Sequence, residues 1–166
     1  MPMVPFFSKV GERAFKEMGT LIVAEGKSPP AGPYGFLEFY CDEMDCDCRR
    51  VLLQVIRPDT GEKVWATINF GWETPEYYRT WSHDAGMASE MASASLEPLA
   101  PQTKHSAELL NLFVDYVQPD AAYVARLKKH YSEVKRQSRK GDRGQPPPAG
   151  HPTKRNRTRR RMGGGA

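Results

Sequence analysis

The sequence predicts an α+β domain that ends in a basic, disordered C-terminal tail. Three apolar runs between residues 36 and 70 predict antiparallel strands, and apolar residues at three- and four-residue steps after residue 103 predict helices. Apolar residues nearly vanish after Ser138. We therefore expect a three-stranded antiparallel sheet with helices packed on one face over residues 1–137, followed by a disordered tail over residues 138–166.

The N-terminal part predicts one helix, one strand and one loop. Apolar positions recur at helical spacing from Phe6 to Met18, which favours a short amphipathic helix. The run over residues 21–24 is typical of a short strand. Three prolines between residues 26 and 35 favour a loop.

The central segment is the most strand-like part of the chain. Residues 36–40 form its first apolar run, and residues 50–57 and 63–70 form the second and third. Gly61 lies in the short turn between the last two runs, where a positive φ would be needed. This pattern predicts a β-hairpin, which the first run extends to a three-stranded meander.

Helical patterns follow the third run. Thr74 precedes Pro75, an arrangement typical of an N-cap followed by proline at the first helical position. Residues 85–95 are rich in small residues and are compatible with a weak helix or a loop. Two longer helices are predicted, over residues 103–116 and after Asp120.

Composition and charge narrow the class of protein. The longest apolar runs fall far short of the roughly 20 residues of a membrane helix, so no membrane partner is expected. The N-terminus lacks the basic segment and apolar core of a secretory signal, which predicts a cytoplasmic protein with reduced thiols. From Lys135 onward there are 11 Lys and Arg against one acid, whereas the preceding residues carry 13 basic and 19 acidic residues. The basic run over residues 154–161 could contact nucleic acid, solvate the tail or fold back onto the acidic body.

The three cysteines of the chain lie within one loop. Cys41, Cys46 and Cys48 have the spacing C-x4-C-x-C, between the first two apolar runs. Thiolate sulfur is a soft ligand suited to Zn²⁺, and structural zinc sites are usually four-coordinate. Four acids in the same loop disfavour a reactive thiolate and favour a divalent cation. The pattern predicts a structural zinc site, with ligand-free thiols and a catalytic or redox cysteine as the alternatives.

The fourth zinc ligand must come from a distant residue, a carboxylate or water. His130 lies on the apolar face of the last predicted helix and should point toward the sheet, which makes it the first candidate. His83 is the alternative, because Asp84 could orient its second ring nitrogen. A buried, hydrogen-bonded histidine is the competing interpretation for His130, and a helix C-terminal residue is the competing interpretation for His83.

Other motifs do not indicate catalysis. The chain has no phosphate-binding glycine loop, no H-E-x-x-H motif and no supported Ser/His/Asp pattern, so no catalytic or cofactor-binding residue is predicted. Aromatic residues cluster after the third apolar run, where they favour core packing over a stacking platform for bases. They are Trp65, Trp72, Tyr77, Tyr78 and Trp81.

Three short motifs carry a resemblance to a known group. The segments YC at residues 40–41, CDCRRV at residues 46–51 and INFGWE at residues 68–73 resemble an uncharacterised bacterial family of small proteins that share this cysteine knuckle. Some members of that family carry a SEC-C type zinc motif, and RLKKHY at residues 126–131 is similar to their closing helix. The resemblance covers residues 36–134 and implies a metal site without an established activity. The tail contains no cysteine, so no second zinc motif carries over.

These features together predict a zinc-stabilised binding or adaptor module with a protein partner. One alternative is a hydrolase-type enzyme in which an open position on zinc activates water. The other is a non-specific nucleic-acid binder that acts through the basic tail.

Overall fold

The computed structural model describes residues 3 to 142 and confirms the α+β class. The antiparallel sheet has six strands, so the prediction of three was wrong. The strands are β1 (Met3–Pro5), β2 (Gly19–Val23), β3 (Gly32–Cys41), β4 (Arg50–Ile56), β5 (Val64–Gly71) and β6 (Ala94–Leu96). The helices are α1 (Phe7–Val10), α2 (Arg13–Lys16), α3 (Pro75–Tyr78), α4 (Ala85–Met91), α5 (Ser106–Leu112) and α6 (Ala121–Asp142).

The predicted meander of β3, β4 and β5 forms the centre of the sheet. The strand order is β1-β3-β4-β5-β6, and β2 shares the outer edge of β3 with β1. The strand expected over residues 21–24 is therefore part of this sheet. β1 and β6 have three residues each, too few to show the alternation of apolar and polar residues that identifies a strand.

One face of the sheet carries the core. Val51, Leu53 and Val55 of β4 are fully buried, while Leu52 and Gln54 between them are half-buried on the opposite face. Helices α5 and α6 pack on the buried face, where ring contacts join the sheet to the C-terminal helical segments. These contacts pair Phe36 with Phe113, Phe70 with Phe113, and Tyr40 with Tyr131.

The N-terminal segment contains two short helices where the sequence predicts one. The single helix expected from Phe6 to Met18 is two four-residue helices, α1 and α2. Gly11 separates them with a φ of 64°, in the left-handed region that glycine adopts without the steric cost of a side chain. The segment leaves the sheet after β1 and returns to the same edge as β2.

The region after β5 contains one predicted and one unpredicted element. The Thr74 hydroxyl accepts a hydrogen bond from the Tyr77 N–H at the start of α3, which confirms the predicted N-cap. Helix α4 and strand β6 occupy the segment that was compatible with a weak helix or a loop. Gly71 makes this arrangement possible, because a Cβ there would collide with the Met91 carbonyl oxygen and the Tyr78 hydroxyl.

The two C-terminal helices complete the domain. α5 continues into a π-helical segment over Phe113–Val117, and α6 then runs to Asp142, beyond the expected domain end at residue 137. Residues 143–166, with most of the predicted disordered tail, lie outside the described residues. Within residues 3 to 142, no helix combines the length and the apolar character needed to cross a membrane.

Candidate metal centre

The structure brings the three cysteines together at one end of the sheet. Cys41 is the last residue of β3, and Cys46 and Cys48 lie in the loop that leads to β4. The three Sγ atoms all lie within 4.8 Å of one another, and all three residues are buried. This is the only such group of His, Cys, Asp or Glu ligand atoms found in residues 3–142.

The cluster fits the size of a zinc site. Zn–S bonds of about 2.3 Å in a tetrahedron place the sulfur atoms roughly 3.8 Å apart. Sulfur atoms within 4.8 Å of one another therefore need only small side-chain adjustments to reach this spacing. Soft sulfur donors select zinc or other thiophilic metals over magnesium and calcium.

The backbone of the loop is shaped around the thiols. The Cys46 N–H donates to the Glu43 carbonyl oxygen, which closes a turn, and the Arg50 N–H donates to the Cys48 sulfur. Arg49 between them has a φ of 48°, the only positive φ of a non-glycine residue in the described chain. A left-handed conformation is costly for a residue with a Cβ, so surrounding contacts must maintain it.

Several contacts hold Arg49 in this conformation. Its guanidinium pairs with Asp47 at 2.9 Å and Glu73 at 3.2 Å and lies 4.6 Å from the centre of the Tyr77 ring. Its carbonyl oxygen accepts a hydrogen bond of 2.8 Å from the Tyr78 hydroxyl. The loop is therefore tied to α3 from both the side chain and the backbone of one residue.

The aromatic residues near the loop brace it. The Tyr77 hydroxyl donates to the Asp47 carbonyl oxygen, and the Tyr131 hydroxyl donates to the Asp47 carboxylate at 3.2 Å. Tyr131 also packs edge-on against Trp72, with ring centroids 5.4 Å apart. Much of the predicted aromatic cluster thus supports the cysteine loop, whereas Trp81 is 40% exposed.

Burial favours the protonated form of the Cys46 and Cys48 thiols in the absence of metal. Desolvation and the neighbouring sulfurs of Cys48 and Cys41 raise the pKa of Cys46 to about 12. Desolvation also raises the pKa of Cys48, although the Arg50 N–H bond opposes the shift. A nucleophilic or redox-active cysteine needs a lowered pKa, so this environment disfavours both roles. A divalent cation would deprotonate the thiols by direct coordination.

Lys135 of α6 brings a positive charge to the site. The residue is only 5% exposed, and its Nζ donates a hydrogen bond of 2.7 Å to the Glu43 carbonyl oxygen in the cysteine loop. Desolvation raises the pKa of Cys48, and the Lys135 charge opposes this rise in favour of the thiolate. Lys135 was not among the predicted site residues, although it lies four residues after Tyr131 and therefore on the same face of α6.

His130 is not one of the residues gathered at the thiols. The side chain is fully buried and faces the sheet, as the helical spacing predicts, but both ring nitrogens face carboxylates. Nδ1 lies 2.6 Å from Glu38 Oε2, and Nε2 lies 2.7 Å from Glu17 Oε2. A metal ligand needs a ring nitrogen with an available lone pair, and these contacts occupy both.

His83 does not complete the cluster either. It is exposed in the loop between α3 and α4, and it is not part of the group of potential ligands. Asp84, which was expected to orient His83, instead accepts a hydrogen bond of 2.9 Å from the Met87 N–H and caps α4. Capping is a sufficient structural role for this carboxylate.

Comparisons with known proteins add no family assignment. The chain gives no significant match to any family model, curated protein or solved structure. The resemblance to the cysteine-knuckle family therefore stays a prediction.

Proposed function

We propose that the protein is a zinc-binding protein in which Cys41, Cys46 and Cys48 hold one structural Zn²⁺. The observation that carries the proposal is the set of three buried Sγ atoms within 4.8 Å of one another. Three thiolates would supply three of the four ligands of a tetrahedral site. The fourth would be water or a group outside the described cluster.

The position of the cluster favours a structural metal. Zinc there would fasten the end of β3 to the loop before β4, and Lys135 already ties this loop to α6. Binding would therefore stabilise the junction of the sheet and its longest helix. In addition, three negative thiolates would offset the charge of the metal, which is typical of a structural zinc site.

We further propose that the zinc-stabilised domain is a binding or adaptor module with a protein partner. The acidic excess of the residues before Lys135 gives the domain a surface suited to a basic partner. In this role the metal maintains the shape of the domain and takes no part in a reaction.

Metal analysis of the untagged protein tests the zinc proposal directly. We expect about one zinc per chain by elemental analysis, and loss of that zinc in Cys46→Ser. Met44→Ser is the matched control, because Met44 lies in the same loop, is 38% exposed and offers no thiol. This control should retain the metal.

Thermal melting with a chelator separates a structural from a catalytic metal. A structural site predicts that a strong zinc chelator lowers the melting temperature of the wild type and leaves Cys46→Ser unchanged. Bound zinc whose removal leaves the melt unchanged would instead support the enzyme alternative. Absence of zinc after expression in zinc-supplemented medium would refute the proposal.

A further inference from the structure

The face of the sheet opposite α5 and α6 carries a groove. It begins beside the cysteine loop and runs between β4, β5 and the segment that follows β6, with a cavity volume of about 460 Å³. Ligand pockets in proteins range from roughly 300 to 1,000 Å³, so the groove can hold a small molecule. It is lined by Met3, Cys48, Arg50, Leu52, Asn69, Met91, Glu97 and Leu99.

Most of the groove wall is apolar and accessible. Leu99 is 95% exposed, and Met87 in the adjoining hollow is 56% exposed. Leu52 and Met91 are half-buried on the floor and side of the groove. Methionine side chains adapt their shape to a ligand, so this wall can accept an apolar body without a fixed outline.

Arg50 places a positive charge among these apolar side chains. Within residues 3 to 142 its guanidinium has no hydrogen bond, ion pair or ring contact, although its charge interacts electrostatically with Tyr78, Cys48 and Glu97. This separates it from its neighbour Arg49, which pairs with two carboxylates. A half-buried guanidinium with five unused donors is suited to bind a carboxylate in a bidentate manner.

The nearest acid in the groove is already used by the fold. One carboxylate oxygen of Glu97 accepts a hydrogen bond from the Asn69 side-chain amide, and the other accepts a bond of 3.2 Å from the Leu99 N–H. The Glu97 charge acts on Arg50, but both Glu97 oxygens are hydrogen-bonded elsewhere in the described chain, so the guanidinium donors remain available to a ligand.

We propose that this groove binds a small organic acid, with the carboxylate on the Arg50 guanidinium and the apolar body against Leu52, Met91 and Leu99. The two parts of the site match the two parts of such a ligand, because charge complementarity orients the acid and apolar contact supplies affinity. This proposal does not require bound zinc, although Cys48 lines one end of the groove.

Octanoate is a suitable probe, and octanol is its uncharged counterpart. We expect saturable binding of octanoate to the ¹⁵N-labelled protein, with the largest amide shifts at Leu52, Asn69 and Glu97. Octanol should bind at least tenfold more weakly, since it cannot form the charged hydrogen bonds. Absence of saturable binding, equal binding of octanol or shifts confined to another surface would refute the proposal.

Arg50→Met isolates the guanidinium, because methionine keeps an apolar stem of similar reach. We expect octanoate affinity to fall at least about tenfold, with the far-UV spectrum and melting temperature retained. Arg79→Met removes the same charge from an exposed position outside the groove and should leave affinity unchanged. Equal affinity in Arg50→Met and wild type, or equal losses in both variants, would overturn the assignment.

Discussion

His130 Nδ1 lies 2.6 Å from Glu38 Oε2 inside the domain, and this contact joins α6 to β3. The second ring nitrogen reaches Glu17 next to α2, and the ring of Phe6 stacks on the imidazole at a centroid distance of 4.2 Å. Ionised carboxylates only accept hydrogen bonds, and a neutral imidazole donates only one. The three groups tie the N-terminal segment to the core, because the imidazole lies within hydrogen-bond distance of both carboxylates.

Replacing His130 tests this role. We expect His130→Gln to lower the free energy of unfolding by about 3–5 kcal/mol, because it removes the imidazole that joins the buried Glu38 to Glu17. Urea unfolding monitored by circular dichroism measures the loss. His83→Gln is the control at an exposed histidine and should change stability by less than about 0.5 kcal/mol.

The zinc content of the same two variants separates the two interpretations of His130. Both variants should retain zinc in whatever fraction folds, because neither histidine belongs to the sulfur cluster. A folded His130→Gln protein with wild-type stability and no zinc would contradict the structural role and restore the ligand hypothesis.

Local patterns in the sequence predict strand β4 and the sulfur cluster. The alternation of Val51, Leu53 and Val55 identifies β4, and the spacing of the cysteines identifies the sulfur cluster. Each of these two patterns lies within a short, continuous segment of the chain. The partners of His130 could not be found in this way, because Glu38 lies 92 residues away and Glu17 lies 113 residues away.

Strands β6 and β1 were not predicted, for a related reason. β6 has the sequence Ala-Ser-Leu, which shows no β propensity, and its pairing with Ile68, Asn69 and Phe70 decides its conformation. β1 is likewise defined by its pairing with the end of β3. Pairing with a distant strand determines the conformation of such short strands, and this pairing cannot be predicted from a single sequence.

Lys135 should contribute to metal affinity. Lys135→Met removes the positive charge that favours the Cys48 thiolate and the hydrogen bond to the Glu43 carbonyl oxygen. We expect zinc affinity to fall about tenfold or more, as is typical for residues that support metal ligands. Competition with a chromophoric chelator measures this affinity.

Lys128→Met provides the control for Lys135→Met. Lys128 lies on the same helix but is exposed and away from the cysteine loop, so its loss should leave zinc affinity unchanged. A similar reduction in both variants would indicate a general charge effect and would contradict the local role of Lys135.

Gly71 should be essential for the packing of α3 and α4 against β5. Gly71→Ala introduces a Cβ against the Met91 carbonyl oxygen and the Tyr78 hydroxyl, and the backbone atom has little freedom to move. We expect a loss of about 1–3 kcal/mol or more in urea unfolding. Gly141→Ala is the control, because no atom lies within 4 Å of a Cβ there, and it should be neutral or slightly stabilising.

Alkaline pH should affect the metal-free and zinc-bound proteins in opposite ways. In the metal-free protein the pKa of Cys46 is raised to about 12 from an ordinary value of 9.0, so the folded state holds this proton longer than the unfolded chain. The resulting stabilisation is complete below about pH 9 and is lost as the pH rises toward 12, by at most about 1.4 kcal/mol per pH unit for one thiol. Bound zinc would deprotonate the thiols in the folded state, so stability should instead rise with pH up to about 9.

Urea unfolding of the reduced protein between pH 7 and 10.5, with and without zinc, measures both slopes. Burial also raises the pKa of Tyr78 to about 12, so part of the alkaline loss comes from tyrosine and is common to all variants. Metal-free Cys46→Ser isolates the thiol contribution, because it keeps the tyrosine and removes the most strongly shifted cysteine. A shallower alkaline decline in Cys46→Ser than in the metal-free wild type is expected, whereas superimposable profiles would show that the buried thiols do not govern this dependence.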